Sequence, residues 1–336
     1  MRFMQSTLTA CAVVATTPAY LPAADTRAAP DSIGRINTKF PVRPLRLVVP
    51  YAPGGPVDIV GRIVALKLTE ALGQQVIVDN RAGGGGNIAV EIVARSAPDG
   101  YTLLMGANGT NAINPNLYPG LPINPARDLA PISMVAASPM ILVVHPSVPA
   151  KSVKDLVSLA KARPGAINFA SAGNGSTAHL SGELFKNMTG IDIVHVPYKG
   201  AGPALTDLVG GQVQIMITGV SATLPHVKSG KLKALAVTSE KRMPLLPDVP
   251  TVGEEIPGYE VNTWYGVFAP ANTARNIIEH LNLVLAKIFA GPDARNRLAA
   301  LGADPVTMPP EEFAASIRRE LAKWAKVIRD SGARPD

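Results

Sequence analysis

The sequence predicts an α/β protein built as two lobes of similar design, and three observations carry that prediction. The chain holds 336 residues, more than a single domain usually spans. Its strand-like and helix-like segments alternate, as they do where parallel strands share a sheet and helices cross over it. One pattern is also written twice: residues 45–106 and 167–217 each read strand, Gly-rich loop, helix, strand, Gly-rich loop, helix, strand.

The first copy opens with Leu45-Arg-Leu-Val-Val-Pro50, a short apolar run closed by Pro, which reads as a buried strand. The loop Tyr51-Ala-Pro-Gly-Gly-Pro56 leads into a helix over 58–72, with Ile59, Ile63 and Leu66 at helical spacing and Gly73 as its stop. A strand at 76–78, a loop from Asn80 to Asn87, a helix over 88–95 and a strand at 101–105 complete it. Residues 107–131 are rich in Asn and Pro and read as irregular. A β-branched run at 133–145 and a helix over 152–163 lead to the second copy.

There, a strand at 167–170 meets the loop Ser171-Ala-Gly-Asn-Gly-Ser176 and a helix over 177–188, striped by Leu180, Leu184 and Met188. A strand at 192–196, a loop at 197–202, a helix over 203–209 and a strand at 213–217 follow. Beyond them come a strand at 232–238, a Pro-rich surface run at 242–258 and a strand at 261–269. Helices over 274–289, 293–301 and 311–330 end the chain, with a short extended piece at 306–308. The chain thus leaves lobe one near residue 145 and returns near 262. Residues 43–145 plus 263–336 form lobe one and 146–262 lobe two, joined by two crossings that can act as a hinge pair.

The first 30 residues read as a signal-like leader: Arg2, a small apolar stretch at 8–17, then a Pro- and Ala-rich segment. Leu8-Thr-Ala-Cys11 resembles a lipoprotein anchoring signal, and an unexported chain with a disordered N-terminus is the other reading. No later run reaches the roughly 18 apolar residues that a spanning helix needs.

Composition narrows the functions. With 47% hydrophobic and 17% charged residues the chain can bury sizeable cores. Aromatic residues make up 5%, too few for base-stacking surfaces. The net charge of +7 is scattered, with no basic run beyond Arg318-Arg319, so no nucleic acid is expected as a partner. Cys11 is the single cysteine, which leaves the body without a disulfide, a thiolate metal site or a cysteine nucleophile. Enzyme signatures fail in turn. Gly173-Asn-Gly-Ser176 is no nucleophile elbow. Gly83–Gly86 lacks dinucleotide spacing, and no phosphate loop occurs. The five histidines share no metal-ligand spacing.

The leading Gly-rich loops are the candidate site. Each opens into a helix, whose first N–H groups attract anions. Gly54, Gly55, Gly173 and Gly175 let a ligand approach the backbone and permit positive φ. Nearby Asn87, Asn108, Thr110, Ser171, Asn174, Ser176 and Thr177 can orient a carboxylate or a bridging water but are poor acids and bases. Tyr51 begins the first loop and His179 sits in the first turn after the second. Asp58 either satisfies orphan N–H groups or holds an amine or hydroxyl of the ligand. Tyr198 and Lys199 open a later loop, with Lys199 read as solvated. Trp264 and Tyr265 read as hinge packing.

Seven segments occur in a telling order: Tyr-Ala-Pro-Gly-Gly-Pro-Val-Asp58, Val-Asp-Asn-Arg-Ala-Gly-Gly-Gly-Gly-Asn87, Ala-Pro-Asp-Gly-Tyr101, Ala-Ser-Ala-Gly-Asn-Gly-Ser-Thr177, His-Val-Pro-Tyr-Lys-Gly200, Leu-Ala-Val-Thr238 and Leu-Pro-Asp-Val-Pro-Thr251. Together they resemble the substrate-binding proteins of tripartite tricarboxylate transporters, the Bug family of periplasmic solute receptors, across about residues 43–330. The resemblance implies a type II-like periplasmic binding-protein fold closing on a small di- or tricarboxylate, acidic amino acid or aromatic acid. It implies an exported monomer without cofactor that delivers its solute to membrane permease subunits. A ligand-sensing co-receptor for a two-component signalling system is the alternative. In the family pattern, the loops matching Tyr51–Asp58 and Ser171–Thr177 grip a carboxylate through main-chain N–H groups and water. Val57 departs from that pattern, standing where the family usually has Thr or Ser.

Overall fold

The computed structural model describes residues 40–331 and 333–335; the leader and Cys11 lie outside the described residues. The first repeat folds as β1 (Leu45–Val49), α1 (Pro56–Leu72), β2 (Val76–Asn80), α2 (Asn87–Ala94) and β3 (Thr102–Ala107). A π-helical turn at Gly109–Ile113 runs into α3 (Asn114–Leu117), then α4 (Pro125–Asp128), the long β4 (Leu129–Val144) and α5 (Val153–Ala162). The second repeat is β5 (Asn168–Ser171), α6 (Thr177–Thr189), β6 (Val194–Pro197), α7 (Ala201–Val209) and β7 (Ile215–Gly219). It continues into α8 (Val220–Lys228), β8 (Lys233–Val237), α9 (Val252–Glu255) and β9 (Asn262–Pro270). The end is α10 (Arg275–Ala290), α11 (Pro292–Ala299), β10 (Asp304–Pro305) and α12 (Pro310–Ser331).

The duplicated pattern is duplicated topology. In the first repeat β1 lies between β2 and β3, parallel to both. In the second β5 lies between β6 and β7, again parallel to both. The ends of β1 and β5, where the two leading loops begin, are therefore equivalent switch points, where open α/β sheets bind ligands. One strand serves both halves. Residues 129–139 of β4 pair antiparallel with β9, and residues 140–144 pair antiparallel with β7 and β8. Thr238, fully buried, ties the strands at this change of partner: its hydroxyl accepts the Met140 N–H at 2.8 Å and donates to the Val261 carbonyl at 2.5 Å.

Burial follows the repeats. One cluster packs α1, α10 and α11 on β1 and β3, through Val60, Val64, Leu68, Leu281 and Leu285. Another packs α7 and α8 on β7 and β8, through Leu205, Leu208, Leu224 and Met216. A third joins β4 to α2, α5, α6 and α12.

Three local expectations are corrected. The buried stripe of α1 is Val57, Val60, Val64 and Leu68, while Leu66 is 45% exposed. This helix is apolar on several sides, so spacing alone did not single out the face on the sheet. In α6 the expected stripe holds in part: Leu180 is fully buried and Leu184 packs half-buried on the core, beside Ala178, Ser181 and Phe185, but Met188 lies at the surface. Residues 107–131 are not irregular: β3 extends to Ala107, helical turns fill 109–117 and 125–128, and β4 starts at Leu129.

Candidate functional site

Both leading loops are shaped by hydrogen bonds within their own repeats. In the first, Asp58 is buried and fully engaged. Its Oδ2 accepts the Gly54 N–H at 3.0 Å and Arg62 Nε at 2.9 Å, and its Oδ1 accepts Asn80 Nδ2 at 2.9 Å. Burial alone would raise its pKa, but those donors and the Arg62 charge hold it below the usual value. Asp58 thus braces the loop.

In the second loop the Gly173 N–H donates to Ser171 Oγ at 3.0 Å, and that hydroxyl lies 2.7 Å from His195 Nε2. The Gly175 N–H donates to His179 Nδ1 at 3.2 Å, and the His179 N–H donates to Ser176 Oγ, which caps α6. The His179 ring stacks on His195 with centroids 4.2 Å apart, and His195 stacks on Phe169. Burial first, then the neighbouring His195 and Lys186, brings the His179 pKa down to about 3. Its imidazole is therefore neutral at ordinary pH, with Nδ1 free to accept.

The loops meet elements of the opposite half. The Ala52 N–H donates to the Lys199 carbonyl at 3.0 Å, and Tyr118 Oη donates to the Asn174 carbonyl at 2.9 Å. Two glycines make this approach feasible. At Gly175, with φ +78°, a Cβ would overlap Asn114 Oδ1. Gly55 has an ordinary φ of −84°, contrary to the expected left-handed backbone. Its need is spatial, since a Cβ there would lie 3.2 Å from that of Ala201.

Between the loops lies a narrow cavity, about 440 Å³ with the open solvent at its mouth included. Four helices start at its wall: α1 with Gly55, Pro56 and Val57, α6 with Ser176 to Ala178, α7 with Ala201 and α8 with Gly219. No side chain caps α1, α7 or α8, so their first N–H groups lack partners within the helix. Among the described residues, no Asp, Glu, Lys, Arg or His lines the wall. Positive potential there comes from helix ends, worth about half an elementary charge each.

Of the residues expected to hold a ligand, Tyr51, Gly55, Ser176 and Thr177 line this cavity. The others stand behind it or beside it. Gly54 packs on Gly202, and Asn87 Oδ1 accepts Asn114 Nδ2 at 2.8 Å. Asn108 pins β9 by accepting the Trp264 N–H at 2.7 Å. Ser171 and His179 support the second loop, and Asn174 contributes its carbonyl to Tyr118. Tyr198 donates to Asp207 Oδ2 at 2.7 Å, and burial with that carboxylate raises its pKa to about 12. Thr110 turns inward to Asn111.

Sequence reasoning missed Gly219, Thr263 and Tyr265. Trp264 does pack in the core, edge-on against Phe313, but the next residue, Tyr265, faces the cavity because successive strand residues point to opposite sides. The signal available was this alternation.

Comparison with known proteins agrees with the geometry. The profile of the "Tripartite tricarboxylate transporter family receptor" matches residues 60–333. Protein BugT of Bordetella pertussis is 41% identical over 297 residues, covering 88% of this chain and 91% of BugT. The structure of Rpa4515 from R. palustris with adipate superposes with a TM-score of 0.86 at 39% identity, covering 88% of this chain and all of that one. MatC from Rhodopseudomonas palustris with bound malate gives 0.83 at 35% identity, covering 86% of this chain and all of MatC. The periplasmic binding protein BugD gives 0.85 at 36% identity, over 88% and 99% of the two chains. Repeated halves, shared strand and paired loops are thus those of a family already described, and the chain belongs to the tripartite tricarboxylate transporter receptor family, the Bug family of periplasmic solute-binding proteins.

Proposed function

We propose that this chain is an exported periplasmic receptor that captures a small carboxylate between two lobes and hands it to the permease subunits of a tripartite tricarboxylate transporter. One observation carries the reading: four helix N-termini, three of them uncapped, open on a cavity without a charged side chain. Backbone amides at such ends favour anions, and their charge costs no reorganisation on binding. The adipate and malate complexes of the two R. palustris proteins support a carboxylate as the ligand class. The lobes meet where β4 changes partners and where the chain re-enters β9, with lobe one as residues 43–145 plus 263–336 and lobe two as 146–262. The bonds from Ala52 to Lys199 and from Tyr118 to Asn174 belong to the closed form. The receptor works as a monomer, and the ligand dissociates chemically unchanged. Thermal unfolding against a panel of organic acids tests this, since a ligand bound only by the folded chain raises the midpoint. A panel of di- and tricarboxylates, acidic amino acids and aromatic acids that leaves the midpoint unmoved would sink the proposal.

A further inference from the structure

Resting on the reading of a two-lobed receptor, we infer that Gly202 and Tyr118 latch the closed form from outside the ligand cavity, and so set its affinity for every solute by one common factor. The repeats hold each other reciprocally: the leading loop of each seats on the second Gly-rich loop of the other, the one ahead of α7 or of α2. In one direction, the Ala52 N–H donates to the Lys199 carbonyl at 3.0 Å. At the next residue, Gly200, a Cβ would stand 2.7 Å from the Ala52 nitrogen. At Gly202, in the first turn of α7, a Cβ would overlap the Pro53 carbonyl oxygen. In the other direction, Tyr118 Oη donates to the Asn174 carbonyl at 2.9 Å. A Cβ at Gly85 would overlap that same oxygen.

None of these residues lines the cavity, so their contacts are the same whichever acid is inside. Each contact runs between the two repeats, so it is made when they close and lost when they part. The apparent affinity of a ligand scales with the fraction of receptor able to close on it. Changing the latch therefore moves all affinities together, whereas changing the wall reorders them. Gly202 lies within α7, where Ala would form helix better than Gly, so glycine there serves the approach of Pro53 and not the helix. Both latches engage in one closing step, which couples them.

The experiment is calorimetric titration of wild type, Gly202→Ala, Tyr118→Phe and the double variant with malate, adipate and benzoate. Gly202→Ala should weaken every acid that wild type binds by one factor, at least about tenfold, which is about 1.4 kcal/mol, and leave their ranking unchanged. Tyr118→Phe should weaken them about fivefold, the net worth of one hydrogen bond. The double variant should bind as Gly202→Ala does, because a jammed interface never forms the tyrosine bond. Unliganded Gly202→Ala should melt no lower than wild type. Full affinity in Gly202→Ala, a loss that differs among the acids, single losses that multiply in the double variant, or a lower unliganded midpoint would each overturn the latch and leave a carboxylate receptor standing. A wild type that binds none of the three acids tells against the receptor reading instead, and hydrogen exchange then decides the latch. The Ala52 amide should exchange faster in Gly202→Ala than in wild type. The Arg46 amide, bonded to the Tyr101 carbonyl within the first repeat at 2.8 Å, should keep its rate. Equal Ala52 rates in the two proteins would overturn the latch.

Discussion

His179 makes stability depend on pH in a way that one substitution isolates. Its Nδ1 accepts the Gly175 N–H, and burial, His195 and Lys186 bring its pKa from 6.5 to about 3. The groups that face it are the His195 ring at 4.2 Å and Lys186, itself paired with Glu183 at 3.1 Å. Between about pH 6.5 and 3 the unfolded chain binds a proton here that the folded chain refuses. Stability is therefore full above about pH 6.5 and falls as the pH drops towards 3, by at most about 1.4 kcal/mol per unit. Over that window the loss reaches about 5 kcal/mol as an order of magnitude, a large share of the 5–15 kcal/mol typical of native proteins. The assay is urea unfolding from pH 3 to 8 for wild type and His179→Gln, whose side-chain oxygen can still accept from Gly175. Carboxylates such as Asp58 lose stability in the same direction, but they are common to both proteins. The difference between the two curves should tilt below pH 6.5 and flatten above it. Curves that stay parallel across the range would refute the idea that a neutral, buried His179 holds the second loop.

Other perturbations read other parts of the account. Gly55→Val drives a branched side chain towards Ala201, so it should abolish the ligand-induced rise in melting temperature while circular dichroism shows an unchanged fold. Thr238→Val strands the Met140 N–H and the Val261 carbonyl, which should cost about 1–3 kcal/mol for each unsatisfied group in urea unfolding. Asp58→Ala leaves the Gly54 and Asn80 donors unmet and should destabilise by a similar amount at pH 7. Because the folded pKa of Asp58 is lowered, that penalty should fade as the pH falls below about 4. In a deletion strain, uptake of the acid should be lost; lost induction with normal uptake would assign the chain to signalling instead.

The duplicated fold was legible because strand runs, Gly-rich loops and apolar helix stripes are local signals, and here they repeat in matching order. Elements on either side of the loops stand within a few residues of their expected bounds. The helix α8 was invisible for a physical reason. It starts at Val220 with no turn after β7, and Pro225 inside it reads as a breaker. With α8 unseen, the fourth helix end at the cavity went unseen too. The residues picked for their side-chain chemistry, such as Asp58, Asn108 and Ser171, brace the site from behind. The wall itself is Gly, Ala, Pro and Val with a few hydroxyls, and such residues carry no motif. Binding through main-chain amides leaves little trace in side-chain chemistry, and only the glycines that permit close approach gave it away.

The central claim is that backbone amides at helix starts hold the ligand. A crystal structure of the chain with malate or adipate tests it most directly. Carboxylate oxygens should lie within about 3.2 Å of main-chain N–H groups at the starts of α1 and α6, or of waters bridging to them. A ligand gripped instead by Lys or Arg side chains, or seated outside the cavity between the two loops, would contradict it.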